Sequence, residues 1–289
     1  DMNNLNIRGR MRCMGGNSEE TKSQVKVKNT CSVEGSVECV GSVEVVTGDS
    51  FVQAGCGCIA VEKELLLKVD NKDGNLLLEG LTKGDEESVV KVESENIEVS
   101  GCLSEVHTLR LNAEFHMALS DKSRISCDEI NVKGEWITNS GTIEQFNTLT
   151  IEPWAVLNSG IIDSENESSS IYFQSDLTLI NSGICRAQTT YLEAPFLLSL
   201  PGKAISDVND VTHCQLVGKE SLKLESIACF LGGSSLRSCK RYENLSVLLF
   251  KFLTYVACTP DSKSLEAWTK AAESLKSIQS HITTRKDSN

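Results

Sequence analysis

Proline and aromatic residues are scarce in this 289-residue chain, with four prolines and 5% Phe, Trp and Tyr. The shortage excludes an aromatic core and leaves Val, Ile and Leu to build one. No apolar run reaches the eighteen or so residues that suggest a membrane span. The longest, Leu245 to Cys258, is 14 residues and contains Lys251, which suits a buried helix. Positive charge is also short: 28 Lys and Arg face 40 Asp and Glu, for a formal net charge of −12. Such a surface opposes a phosphate backbone, so nucleic acid is not an expected partner. Arg8, Arg10 and Arg12 form the only basic cluster. No N-terminal stretch joins a basic region to an apolar run of about seven residues, so no secretory signal is visible.

Motifs of site chemistry are missing too. There is no C-x-x-C or H-x-x-x-H spacing to complete a zinc site, and Cys56-Gly-Cys58 and His213-Cys214 are the closest pairs. Nucleophile elbows, phosphate-binding glycine loops and dinucleotide fingerprints are absent. No metal or other cofactor is expected. Twelve cysteines are present but scattered. Many, including Cys39, Cys102, Cys127, Cys185 and Cys229, stand where a strand calls for a small apolar residue, so they read as free, buried thiols in a cytoplasmic protein, with a secreted or surface location as the alternative.

What is present is a repeat. Ile137-Thr-Asn139-Ser-Gly141-Thr-Ile143, Val156-Leu-Asn158-Ser-Gly160-Ile-Ile162 and Leu179-Ile-Asn181-Ser-Gly183-Ile-Cys185 follow one another at steps of 19 and 23 residues. Weaker copies extend the series through Gly57, Gly80, Gly101, Lys122, Gly202 and Gly218, spaced 16 to 23 residues apart. A period near twenty marks a solenoid, whose turns are too small to bury an apolar face alone and must lean on the next. Between the turns apolar residues stand two apart, as in Leu109-Arg-Leu111, Ile130-Asn-Val132, Leu149-Thr-Ile151 and Ile171-Tyr-Phe173. Period two puts them on one face of a strand. A β-helix with stacked aliphatic columns follows. Gly141, Gly160 and Gly183 would serve a positive φ or a close approach of the neighbouring coil, and Asn139, Asn158 and Asn181 would stack as a structural amide ladder.

The expected organisation is a flexible N-terminal segment over 1–24, a β-helix of about nine to ten coils over 25–238, and a helical hairpin or cap over 239–289. In the last part Thr259-Pro260 caps a helix in which Leu265, Trp268, Ala272, Leu275, Ile278 and Ile282 fall three or four apart. That hairpin would cover the open end of the stack or dock a partner, with Leu265, Trp268 and Leu275 as its contacts.

The phrase apolar-x-Asn-x-Gly-x-Ile, followed by an alternating strand and the phrase again, resembles the repeats of filamentous-haemagglutinin-type proteins over Glu135 to Cys185, and more loosely over Ile97 to Ile205. The resemblance implies a right-handed parallel β-helix, the form of extended adhesive or presentation stalks. Three functions remain open: a non-enzymatic scaffold or interaction domain that binds another protein, a β-helical enzyme acting on polysaccharide, and a bacterial adhesin or toxin-delivery stalk. The enzyme would need carboxylates converging on one strand face, and Asp128, Glu129, Glu144, Glu152, Asp163 and Glu165 are the candidates. No catalytic residue is assigned among them.

Overall fold

The computed structural model describes residues 2–15, 23–199, 215–225, 228–231 and 235–239. Their regular elements are all strands, and successive coils pair in parallel. The result is a parallel β-solenoid of the right-handed type.

Each coil has three faces. Face A begins with Leu5–Ile7, Thr30–Val33, Ser50–Gln53 and Asn75–Leu78, and continues through 96–99, 116–119, 136–139 and 155–158 to Thr178–Asn181, Phe196–Ser199 and Ala228–Leu231. Face B runs from Arg10–Met14, Ser36–Val40, Cys58–Val61 and Leu81–Lys83 to Thr142–Glu144, Ile161–Asp163 and the start of Ile184–Glu193. Face C stacks Ser23–Val27, Ser42–Thr47 and Glu64–Val69 below 89–93, 108–112, 129–133, 148–152 and Ser170–Gln174. In the middle coils the strands Cys102–Leu119 and Arg124–Asn139 bend through all three faces without a break.

The inner wall follows the alternation. Leu109, Ile130, Leu149 and Ile171 are register neighbours on face C and wholly buried. Each such side chain contributes about 1.5–3 kcal/mol through burial, and none has this shelter in an isolated coil. The glycine corner joins face A to face B. A Cβ on Gly160 would collide with the Gly141 carbonyl oxygen, and one on Gly183 with that of Gly160. Close approach of the coils, not a positive φ, therefore explains the recurring glycine.

Three expectations need correction. Leu5–Ile7 and Arg10–Met14, inside the stretch read as flexible, form the first coil, pairing with Thr30–Val33 and Ser36–Val40. Their apolar residues alternate over only a few positions among Arg and Asn, too briefly to register as strands by pattern. Gly218 is not in register with the Gly141, Gly160 and Gly183 corner: it pairs with Ala187 inside Gln215–Glu225. The parallel series gives way to an antiparallel partner when Ser235–Cys239 folds back on Ala228–Leu231. The helical hairpin expected beyond this point, with Leu265, Trp268 and Leu275, lies outside the described residues, as does Gly202.

Candidate functional site

The asparagine corner is a sealed structural element. Asn139 Nδ2 donates to Asn158 Oδ1 at 2.8 Å, and Asn158 Nδ2 donates to Asn181 Oδ1 at 2.6 Å. The amides also serve the corner backbone: Asn158 and Asn181 donate to the Ile184 and Gly183 carbonyls, and Gly141 N–H donates to Asn139. All three side chains are buried. Register carries the row back through Leu119, Val99 and Leu78 to Gln53. Gln53 is a buried amide that donates to the Leu81 carbonyl and accepts from Thr82. Its signal in the sequence is Gln53-Ala-Gly55, a weak echo of Asn-Ser-Gly to which no amide role was assigned.

The candidate carboxylates do not converge. Asp128 faces His107 Nδ1 at 3.1 Å, Glu129 accepts from Thr108, and Glu152 is ion-paired with Lys133. Glu144 and Asp163 are register neighbours on face B, the nearest approach to a carboxylate pair. Each has its own arginine, however, Arg124 for Glu144 and a two-pronged Arg186 for Asp163. Hydrogen bonding to Asp163 holds the Arg186 guanidinium above its ordinary pKa, a rise that burial opposes. Glu165 stays exposed nearby. The outer wall is thus laced by ion pairs from coil to coil and leaves no open pair of acids among these six.

Cysteine and histidine add no metal centre: among the described residues no group of three His, Cys, Asp or Glu is placed to hold an ion. Cys13, Cys31, Cys39 and Cys127 are buried free thiols and Cys185 is buried too, whereas Cys56 is exposed and Cys58 and Cys102 are half-buried. Burial pushes Cys31 up to about 11 and Cys127 up to about 12. Cys13 and Cys39 are register neighbours, and the hydrogen bond from Cys39 brings Cys13 down to about 7. His107 and His116, nine residues apart, are both half-buried, and the pairing of Cys102–Leu119 shifts register between them, after Asn112.

Trp136 packs edge-on against Trp154 at 5.3 Å between ring centroids and is buried, so it offers no flat platform to a sugar. On face C, Tyr172 and Tyr191 pair at 6.4 Å and Lys223 Nζ lies 5.0 Å from the Tyr191 ring. Their signal in the sequence was a spacing of one coil.

The first coil is the surface built most like a docking site. No described strand pairs with the outer edges of Leu5–Ile7, Arg10–Met14 or Ser23–Val27, apart from Met2 bridging Val27. Inside that rim Leu5, Ile7, Met11 and Val25 are only half-buried, over a core of Cys31, Val37 and Phe51. Met14 is 61% exposed. Arg8 reaches Glu34 at 3.2 Å, while Arg10 and Arg12 share Glu38 at 3.3 and 3.6 Å. The basic cluster is therefore the crown of this rim. Comparison of the chain with protein-family models, with curated proteins and with solved structures finds no match.

Proposed function

We propose that the chain is a non-enzymatic β-helical interaction domain that receives another protein on its first described coil. The observation that carries this reading is the set of strand edges that no described strand pairs with, standing over half-buried Leu5, Ile7, Met11 and Val25. An edge of this kind templates an added strand: main-chain hydrogen bonds supply affinity, and alternate side chains enter the apolar mouth. Three arginines against two glutamates on the rim favour a partner segment bearing carboxylates. The pairing of Glu144 and Asp163 with separate arginines supports the non-enzymatic part.

The test is cross-linking and amide exchange on the complex isolated from the natural source. Contacts and protection should map to 2–14 and 23–27, and Met11→Lys should weaken binding at least tenfold with the far-ultraviolet spectrum preserved. Protection elsewhere, or unchanged affinity, overturns the site. Turnover on a glycan panel that Glu144→Gln or Asp163→Asn abolishes overturns the non-enzymatic assignment in favour of a polysaccharide-acting enzyme.

The haemagglutinin-type resemblance favours a second reading, a surface or delivery stalk, and its specific support is the in-register stacking of the repeated Asn-Ser-Gly phrase. Thiol counting separates the two. Twelve titratable thiols in the natively produced, denatured protein support a cytoplasmic scaffold, while disulfides support the stalk.

A further inference from the structure

The cysteines of the described coils stand on separate rows of the solenoid, with one exception. Cys31 stacks between Leu5 and Phe51 on face A, and Cys127 stacks beside Val106. Cys58 and Cys102 share an outward row of face B, but Leu81 stands between them. Two strand steps of about 4.8 Å exceed the Cα span of a disulfide. Cys13 and Cys39 are direct register neighbours, paired across Arg10–Met14 and Ser36–Val40. One strand step falls inside the disulfide span. Both thiols are buried and alternate with outward Arg12 and Glu38, whose ion pair at 3.6 Å holds the same two strands from outside. No other two cysteines among the described residues meet in register.

We infer that Cys13 and Cys39 form a thiol–disulfide redox site, at which a peroxide oxidises the pair to a bridge that ties the first described coil to the second. Cys13 is the attacking group. It is 8% exposed against 1% for Cys39 and lies in the apolar lumen behind half-buried Leu5, Ile7 and Met11. The hydrogen bond from Cys39 brings Cys13 down to about 7 against the opposing effect of burial, so a large share of it is thiolate near neutral pH. Cys39 keeps its proton, held there by the same hydrogen bond and then by burial. Cys31 shares the lumen, but burial pushes it up to about 11. The Cys13 sulfur attacks one peroxide oxygen, the O–O bond breaks, and the departing hydroxide takes up the proton that Cys13 had released. Cys13 is then a sulfenic acid. The Cys39 sulfur attacks the Cys13 sulfur, its proton leaves with the displaced hydroxide as water, and the S–S bond closes. Two thiols and one hydrogen peroxide give one disulfide and two waters, with two electrons passing from sulfur to the peroxide. A dithiol reverses the reaction and is itself oxidised to a disulfide. The inference does not depend on what docks on this coil.

The test exposes the reduced full-length chain to one equivalent of hydrogen peroxide, blocks the remaining thiols with iodoacetamide and maps every cysteine by mass spectrometry. Cleavage after Glu34 and Glu38 separates Cys31 from Cys39. The expected product is a Cys13–Cys39 link that forms ahead of any change at exposed Cys56 and is reversed by dithiothreitol. Closing the chain between these two residues should slow amide exchange in Arg10–Met14 by about tenfold. In Cys39→Ala, Cys13 loses both its hydrogen-bond donor and its resolving thiol, so it should react more slowly than in the parent and end as a sulfenic acid trapped by dimedone. In Cys13→Ala, Cys39 should stay reduced. A Cys13–Cys31 bridge, a link between two chains, oxidation of Cys56 first, or alkylation of both Cys13 and Cys39 after the dose overturns the inference. Unchanged exchange in the bridged protein overturns the tie between the coils.

Discussion

Asn158 stands at the middle of the ladder, and all of its amide capacity that the corner can use is engaged: it accepts from Asn139 and donates to both Asn181 and the Ile184 carbonyl. Asn158→Ala leaves a buried donor on Asn139 and a buried acceptor on Asn181 without their partners. Each orphan costs about 1–3 kcal/mol, so the loss should be about 3 kcal/mol, read as a lower urea midpoint. Ser140→Ala is the control. Its hydroxyl meets that of Ser159 at 3.1 Å on an exposed edge, and its loss should stay within about 0.5 kcal/mol. The three asparagines were legible because Asn-Ser-Gly recurs with them. Gln53 stood only at the head of a weaker echo, Gln53-Ala-Gly55, and its inward direction was not legible because a long amide in an alternating strand reads like an outward polar residue.

At the scale of the coil, alternation indicated strands and the glycine phrase marked one corner, but the corner between faces B and C left no repeated phrase. In three of the described coils that corner takes a left-handed residue, Gly41 at φ 77°, Glu105 at φ 56° and Gln145 at φ 55°. Three residue types at differing distances from the face C strand defeat recognition by sequence. Glu105 sits where the pairing of Cys102–Leu119 with Arg124–Asn139 shifts register, and its carboxylate meets Lys83 only at the exposed surface. A left-handed φ costs an L residue about 1–2 kcal/mol, and an exposed ion pair returns little. Glu105→Gly should therefore stabilise the fold by about 0.5–1 kcal/mol, measured by chemical denaturation; destabilisation would show that the bend is not strained.

Across the whole molecule the buried thiols set a pH response. Cys31 and Cys127 have folded pKa values raised to about 11 and about 12, first by burial, against an ordinary value of 9.0. Below about pH 9 both states keep the protons and the contribution is intact. Above it the unfolded chain sheds protons that the folded chain retains, so stability falls by up to about 1.4 kcal/mol per pH unit for each thiol until the folded pKa is passed. Urea midpoints in reducing buffer should drop between pH 8 and 10.5, and Cys31→Ala with Cys127→Ala should flatten that slope relative to the parent. The sequence by itself determined the coil period, the strand alternation, the aliphatic interior and the asparagine corner, because each is a local pattern that every coil must repeat to stack on its neighbour. Only the tertiary structure decided that Leu5 to Met14 joins the stack, that the candidate acids are dispersed into coil-to-coil ion pairs, and that Cys13 and Cys39 meet in register. Those outcomes depend on which residues of different coils meet across a step of about 4.8 Å, and loops and bulges shift that meeting without altering the local pattern.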